Sequence, residues 1–254
     1  LVITDIEAAA ATLRQMIAVS GSIVAFTGAG ISTESGVPDY RSKNSPWTRN
    51  KPIPYDLFMA DADQRVEAWR RKFAMDDLYA GAQPSRGHAA LRRLAQTGRL
   101  DSVITQNIDN LHQLSGVGPD HLIELHGNGT YALCVACGLR HELADIRPVF
   151  ERTREAPACV ACGGIVKSAT ISFGQSLPPD ALRAAQVATT TCDLFVAIGS
   201  SLVVYPAAAL PTLARHHGAR LVIVNGEPTP LDAEADVVLR GDIGAILEAA
   251  VPLT

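Results

Sequence analysis

"VAFTGAGIST", residues 24–33, is an apolar run that breaks directly into Gly28 and Gly30. Strands buried on both faces read as unbroken apolar runs, and one that ends in spaced glycines ahead of a helix start has the form of a phosphate-binding strand-to-helix turn. Glycine lets the backbone turn sharply and approach a pyrophosphate, whose charge is met by free N–H groups and the positive end of a helix dipole. Thr33 stands where the usual dinucleotide fingerprint has its third glycine, so the motif alone also reads as a tight turn without a ligand.

Similar runs recur along the chain: "SVIT" at 102–105, "LIEL" at 122–125, "ATISF" at 169–173, "LFVAIG" at 194–199, "RLVIVN" at 220–225 and "DVVL" at 236–239. Helical segments are predicted between them near 85–97, capped by Ser85 or the residues after it, and near 107–115, 179–190, 205–217 and 241–250. A first helix is predicted from Thr4 and Glu7, at capping-box spacing, with Ile6, Ala10, Leu13 and Ile17 on one face and Gly21 at its end. Alternation of strand and helix predicts an α/β fold with a parallel, doubly wound sheet. Two stretches break the alternation: residues 36–80, with four prolines before an amphipathic segment, and residues 127–168, with four of the five cysteines. They read as a loop followed by helices and a second module, together a small domain inserted twice.

The 254 residues are 47% hydrophobic and 19% charged with a formal net charge of −4, which excludes a globally basic nucleic-acid or membrane binder. No run of about 18 apolar residues is present and no secretory leader is recognised, so a cytoplasmic protein is expected. The chain starts at Leu1, so its numbering is expected to begin inside the natural chain.

Open α/β sheets bind ligands beyond the carboxyl ends of their strands. The residues there are polar as a set: Gly28 to Ser32, then Gln106, Asn107 and Asp109, then His126, then Ser200 and Ser201, then Asn225 and Glu227. Each alone reads as a loop cap, and His126 alone as an ordinary surface or core histidine; together they point to one shared ligand. The amides and carboxylate of Gln106, Asn107 and Asp109 are expected to stay unpaired until that ligand completes them.

Two Cys-x-x-Cys knuckles, Cys134/Cys137 and Cys159/Cys162, are separated by 21 residues and followed by Gly138 and Gly163. Four thiolates so spaced suit one tetrahedral Zn²⁺ with no open position, a structural site, whereas disulfides are disfavoured in the expected compartment. Cys192 reads as a small buried hydrophobe.

In order, "GAGISTESGVPDYRS", "TQNIDNLH", "LHG", the cysteine pairs, "ISFGQ", "GSSLVVYP" and "VNGEPTPLD" resemble the sirtuins, NAD-dependent protein lysine deacylases, over roughly residues 5–250. The resemblance implies a Rossmann-like NAD-binding domain of residues 1–35, 81–126 and 169–254, a cofactor loop and helical module at 36–80, and a zinc ribbon at 127–168. It implies that NAD is a consumed co-substrate: the acyl oxygen of acetyl-lysine attacks the ribose carbon bearing nicotinamide, and nicotinamide, O-acetyl-ADP-ribose and free lysine result.

Carried over by motif, His126 is the expected general base, acting on a ribose hydroxyl, with Asn107 and Asp109 at the ribose and nicotinamide ends of NAD and Gln106 and Ile108 beside them. Gly28, Ala29, Gly30 and Ser32 line the pyrophosphate and adjoining site, and Asp39, Tyr40 and Arg41 lie on the cofactor loop, Tyr40 replacing a common Phe. Gly199, Ser200, Ser201, Asn225, Gly226 and Glu227 are expected on the adenosine side, with Asp242 and Ile243 near adenine. The acetyl-lysine peptide is expected to add as a strand between Ile171, Phe173 and Gly174 on one side and Val204 on the other.

Gln175 replaces a common Glu and Lys167-Ser168 a common basic-Pro pair, which leaves peptide preference open. Arg70 and Arg71 lack a tyrosine three residues earlier, so they read as solvated helix charges and acetyl or another neutral acyl group is favoured. The alternatives are an NAD-dependent mono-ADP-ribosyltransferase or NAD hydrolase and, less favoured, a non-enzymatic zinc-ribbon adaptor. The insert mixes Arg140, His141, Arg147, Arg152, Arg154 and Lys167 with Glu142, Asp145, Glu151 and Glu155, so direct nucleic-acid binding is not expected.

Overall fold

The computed structural model describes residues 1–39, 45–48 and 51–252. Its elements begin with β1 (Val2–Ile3), α1 (Ile6–Ala18), β2 (Ile23–Thr27), α2 (Tyr55–Ala60), α3 (Ala62–Leu78), α4 (Arg86–Gln96), β3 (Leu100–Thr105), α5 (Leu111–Ser115) and β4 (Leu122–Glu124). They continue with β5 (Gly127–Cys134), β6 (Arg140–Glu142), α6 (Leu143–Thr153), β7 (Val166–Thr170), α7 (Pro179–Thr191), β8 (Leu194–Ile198), α8 (Leu210–His216), β9 (Arg220–Val224), β10 (Val237–Leu239) and α9 (Ile243–Ala250).

Seven parallel strands form the main sheet in the order β1-β10-β9-β8-β2-β3-β4. All five residues of β2 and of β8 are buried, which is why these strands show no polar alternation. Successive side chains still divide between two cores: Ile23 and Ala25 pack with α1, α4 and α9, while Val24 and Phe26 pack with α7 and α8 on the other face. The chain winds outward through β3 and β4, leaves the sheet, and returns to β8 on the opposite side of β2. The switch point therefore lies between β2 and β8, where ligands bind in such sheets.

A second, antiparallel sheet, β6-β5-β7, carries the cysteine knuckles. Trp69 and Phe73 of α3 share a core with Ala132, Cys134, Ile146, Phe150, Cys159 and Val166, so both interruptions of the alternation fold around one cluster. Trp69 Nε1 donates to the Val166 carbonyl at 3.3 Å, satisfying the indole inside that cluster.

Several expectations are corrected. The cap of α1 is Asp5 rather than Thr4, its carboxylate accepting from Ala8 N–H at 2.8 Å, and Ile6 is exposed. Among the described residues no α-helix directly follows the glycine turn: Ala29–Ile31 and Thr33–Ser35 are two single 3₁₀ turns, stopped by Gly36 at φ +81°. "ATISF" is not a strand of the main sheet. The strand is Val166–Thr170, paired antiparallel with β5, because its hydrogen-bonding partners lie in the cysteine module. The predicted helices at 107–115 and 205–217 shrink to α5 and to α8 preceded by a 3₁₀ turn at Ala207–Ala209. Ser85 does cap α4, its hydroxyl accepting from His88 N–H.

Candidate active site

Gly28 and Gly30 lie where two loops of the switch point touch. A Cβ on Gly30 would sit 2.7 Å from Gly199 Cα and 2.8 Å from its carbonyl oxygen, and one on Gly28 would sit 2.8 Å from that same oxygen. Gly30 N–H donates to Gly199 O at 2.8 Å and Gly28 N–H to Ile198 O at 2.9 Å. These glycines thus first allow two backbones to pack, and these two N–H groups are not left over for a phosphate. Gly199 is itself at φ +61°, a left-handed conformation that favours glycine.

The polar residues beyond β3 are not unpaired as expected. Gln106 Nε2 donates to Ser200 Oγ at 2.8 Å, and Asn107 Nδ2 donates to Gly28 O and Ser32 Oγ, both at 3.1 Å. Ser32 Oγ donates to Asp109 Oδ2 at 2.6 Å, and Leu111 N–H donates to Asp109 Oδ1 at 3.0 Å. Strand ends that converge on one edge satisfy each other's donors and acceptors, so the loop's polar groups are paired before any ligand arrives. Ile108 contributes its carbonyl, which accepts from Gly129 N–H at 2.8 Å.

His126 occupies the turn after β4, with Nδ1 3.0 Å from Gln106 O. A carbonyl only accepts, so Nδ1 carries the proton and Nε2 of the neutral ring is bare. Burial lowers the pKa of His126 below the usual histidine value, opposed by the Gln106 hydrogen bond, which leaves the ring a base at neutral pH. Its carbonyl accepts from Ile171 N–H at 2.8 Å, tying the segment after β7 to the base. Beyond it, Phe173 is 57% exposed, its carbonyl accepts from Tyr55 N–H, and Gly174 turns at φ +81°. Val204 is half-buried on the loop that follows half-buried Ser201. Buried Lys167 donates Nζ to the carbonyls of Ser168 and Thr170, and burial pushes its pKa down to about 8.

A cleft of about 510 Å³ opens beside the glycine turn, lined by Gly30, Asp39, Asn225, Gly226, Glu227, Asp242 and Ile243, all singled out in the sequence. That volume suits a small-molecule site, roughly 300–1,000 Å³. Thr33 and Glu34, inside the glycine-loop motif but given no ligand role, and Gly241 and Gly244, outside every motif, also line it. Asp242 caps α9 by accepting from Ala245 N–H at 2.8 Å and pairs with Arg86, which also binds Glu34 and Glu248. Tyr40 and Arg41 lie outside the described residues. Arg70 and Arg71 are not merely solvated: both pair with Glu67 at 2.6 Å, and the hydrogen bond from Arg70, with that from Arg71, holds Glu67 down to about 2.

The four predicted metal ligands come together, with all Sγ atoms within 4.8 Å of one another. Cys134 and Cys162 sulfurs are 3.5 Å apart and those of Cys137 and Cys159 3.7 Å. A tetrahedron of Zn–S bonds of about 2.3 Å requires sulfur separations of about 3.8 Å, so the set fits zinc, and each thiol is free rather than disulfide-bonded. Backbone N–H groups of Cys137 and Ala136 lower the Cys134 thiol to about 6, favouring the ligating thiolate. Gly138 and Gly163, at φ +73° and +71°, make the two knuckle turns. Cys192 is buried, as expected, with Sγ donating to Thr189 O.

Fold and site define a Rossmann-like α/β protein with an inserted four-cysteine module that suits zinc. The family model for the Sir2 family matches residues 28–206. The chain is 58% identical to the NAD-dependent protein deacetylase of Rhodopseudomonas palustris, covering 92% of this chain and 93% of that one. It is 53% identical to NAD-dependent protein deacetylase 1 of Bradyrhizobium diazoefficiens, covering 97% of each. A Sir2 structure with a deacetylated p53 peptide and 3'-O-acetyl ADP ribose superposes with a TM-score of 0.86 at 34% identity, covering 94% of this chain and 96% of that one. Another, of Sir2 with p53 peptide and NAD+, gives 0.82 at 36% identity, covering 92% and 93%. The chain belongs to the Sir2 family.

Proposed function

We propose that the chain is an NAD-dependent protein lysine deacetylase, yielding nicotinamide, O-acetyl-ADP-ribose and free lysine. The observation that carries this reading is the junction of His126 with the 106–109 loop at the switch point: a bare imidazole Nε2 on a ring anchored to the same loop that holds Asn107 and Asp109. Likeness to deacetylases over nearly the whole chain supports it.

When bound, NAD supplies the ribose carbon that receives the acyl oxygen as nicotinamide departs. The chain's own residues then have distinct tasks. Asn107 and Asp109, locked to Ser32, orient the ribose and nicotinamide ends with little reorganisation, and the buried setting strengthens their fields. His126 Nε2 takes a proton from a ribose hydroxyl. Gly28, Ala29, Gly30, Gly199, Ser200 and Ser201 surround the pyrophosphate and neighbouring sugar, while Asn225, Gly226, Glu227, Asp242 and Ile243 wall the adenosine end of the cleft. Asp39, Tyr40 and Arg41 complete the cofactor side. Ile171, Phe173 and Gly174 on one side and Val204 on the other are assigned to an acetyl-lysine peptide bound mainly through its backbone. Cys134, Cys137, Cys159 and Cys162 hold one structural Zn²⁺, which keeps the knuckles folded and does no chemistry.

The division into a Rossmann-like domain (1–35, 81–126, 169–254), a loop and helical module (36–80) and a zinc ribbon (127–168) belongs to the same reading, with the shared core around Trp69 making the last two one body. Among the described residues no helix is long and apolar enough to cross a membrane, and we place the protein in the cytoplasm, acting on acetylated proteins and not on nucleic acid.

The test is mass spectrometry of an acetyl-lysine peptide with and without NAD. Loss of acetyl with equal release of nicotinamide and O-acetyl-ADP-ribose is expected. Nicotinamide release from NAD with every acyl-peptide tested left intact would overturn the reading in favour of NAD hydrolysis or ADP-ribosyl transfer.

A further inference from the structure

Beneath the site, His88 of α4 and His112 of α5 pack edge to face, ring centroids 4.7 Å apart and planes at 62°. Both are buried, at 0% and 1% exposure, and neither has a part in the chemistry above. Each has one ring nitrogen bonded and one without a partner, Nε2 of His88 and Nδ1 of His112. Buried polar atoms are seldom left so, and the pair asks for an explanation.

Hydrogen-bond bookkeeping assigns the protons. Ser85 Oγ at 2.8 Å and Ser85 N–H at 3.2 Å both approach His88 Nδ1; the amide can only donate, so that nitrogen is bare and the neutral ring carries its proton on Nε2. Thr27 Oγ1 lies 2.9 Å from both Thr105 Oγ1 and His112 Nε2; with the Thr27 proton on the Thr105 bond, His112 Nε2 is the donor there and Nδ1 is bare. Burial keeps both rings neutral, pushing His88 down to about 4 and His112 well below its usual value. The two unpartnered nitrogens belong to rings in edge-to-face contact, and neither is hydrogen-bonded to the other. Thr105 Oγ1 also accepts from Asn107 N–H at 3.0 Å, so hydrogen bonds run without a break from His112 through two threonines to the 106–109 loop.

We propose that His88 and His112 are positioning residues for that loop: His112 Nε2–H orders the hydroxyls of Thr27 and Thr105 to receive the Asn107 amide, and the His88 ring, packed edge to face on His112, holds that imidazole in place. The inference rests on the role given above to Asn107 and Asp109.

The test compares His112→Leu, His112→Gln and Thr27→Val with the parent chain, reading melting temperature, kcat and KM for NAD and acetyl-lysine peptide, and histidine ¹⁵N spectra. Small misplacements of reacting groups cost up to about 100-fold, so His112→Leu and Thr27→Val are expected to lose about 10- to 100-fold in kcat/KM for NAD well below their melting temperatures. Peptide KM stays within about twofold, and His112→Gln, whose amide nitrogen can still donate to Thr27, recovers most of the loss. Lower melting temperatures with unchanged kinetics in His112→Leu and Thr27→Val would overturn the proposal. If His112→Leu does not fold, Thr27→Val and the parent spectrum decide, since a His112 proton on Nδ1 is equally fatal. Should the parent chain bind NAD without deacylating, calorimetric titration of NAD into Thr27→Val reads the same positioning, and parent-like affinity there refutes it. Failure of the parent to bind NAD would sink the functional reading, while the tautomer spectrum would still test the relay.

Discussion

Ser32 Oγ lies 2.6 Å from Asp109 Oδ2 and closes the site across 77 positions of sequence. It joins the glycine turn after β2 to the polar loop after β3, with Asn107 bonded to the same hydroxyl. Ser32 is fully buried, so Ser32→Ala leaves a carboxylate oxygen and an amide without their partner. Hydrogen bonds to charged groups contribute about 1.5–3 kcal/mol, and a loss of that order is expected in urea unfolding, with weaker NAD binding by calorimetry.

His126→Ala is expected to remain folded and to bind NAD while deacetylation falls by about 10²–10⁴-fold, the usual range for a lost general base. In the parent, burial depresses the pKa of His126, so the active neutral ring persists below the ordinary histidine pKa. A profile of kcat/KM against pH should therefore rise from acid with its midpoint below pH 6.5, whereas a rise centred above that value would contradict the assignment.

Gly30→Ala forces a Cβ to within 2.7 Å of Gly199 Cα, where neither backbone can yield without opening the β2–β8 loop contact. Overpacking costs about 1–3 kcal/mol or more, and NAD affinity should fall with it. Gly36→Ala is the control: its φ of +81° imposes backbone strain with nothing within 4 Å, so it should lower stability by about 1–2 kcal/mol and spare NAD binding. Equal effects of the two on NAD affinity would show that loop contact is not what matters.

Stripping zinc with a chelator should lower the melting temperature and, because Trp69 is packed against Cys134 and Cys159 in one cluster, shift tryptophan emission to the red. Elemental analysis should find one zinc per chain before treatment. An unchanged melting temperature with zinc verified absent would show that the ion is not structural.

Much of this architecture was legible because it is written in short-range patterns. The unbroken apolar runs at 23–27 and 194–198 announced central strands, Ser85 announced its helix, and the two cysteine knuckles announced a metal site whose sulfurs do converge. The errors have two causes, one tertiary and one local. "ATISF" has strand composition, yet its sheet was chosen by β5, and Thr4 had capping spacing, yet Asp5 caps the helix. Glu34, Arg86, His88 and His112 sit in no motif that names their partners, which lie 24 to 162 positions away.

Sequence alone determined which segments are strands buried on both faces, where glycine is required and which four thiols could share an ion, because backbone preference, hydrophobic period and ligand spacing act over a few residues. Tertiary structure alone decided that Gly28 and Gly30 serve the Gly199 loop, that Gln106, Asn107 and Asp109 are paired before any ligand binds, and that His126 keeps a bare Nε2. Those outcomes depend on which donors and acceptors converge once the strands are in register, and hydrogen bonds act only over about 3 Å, a proximity that sequence distance does not encode.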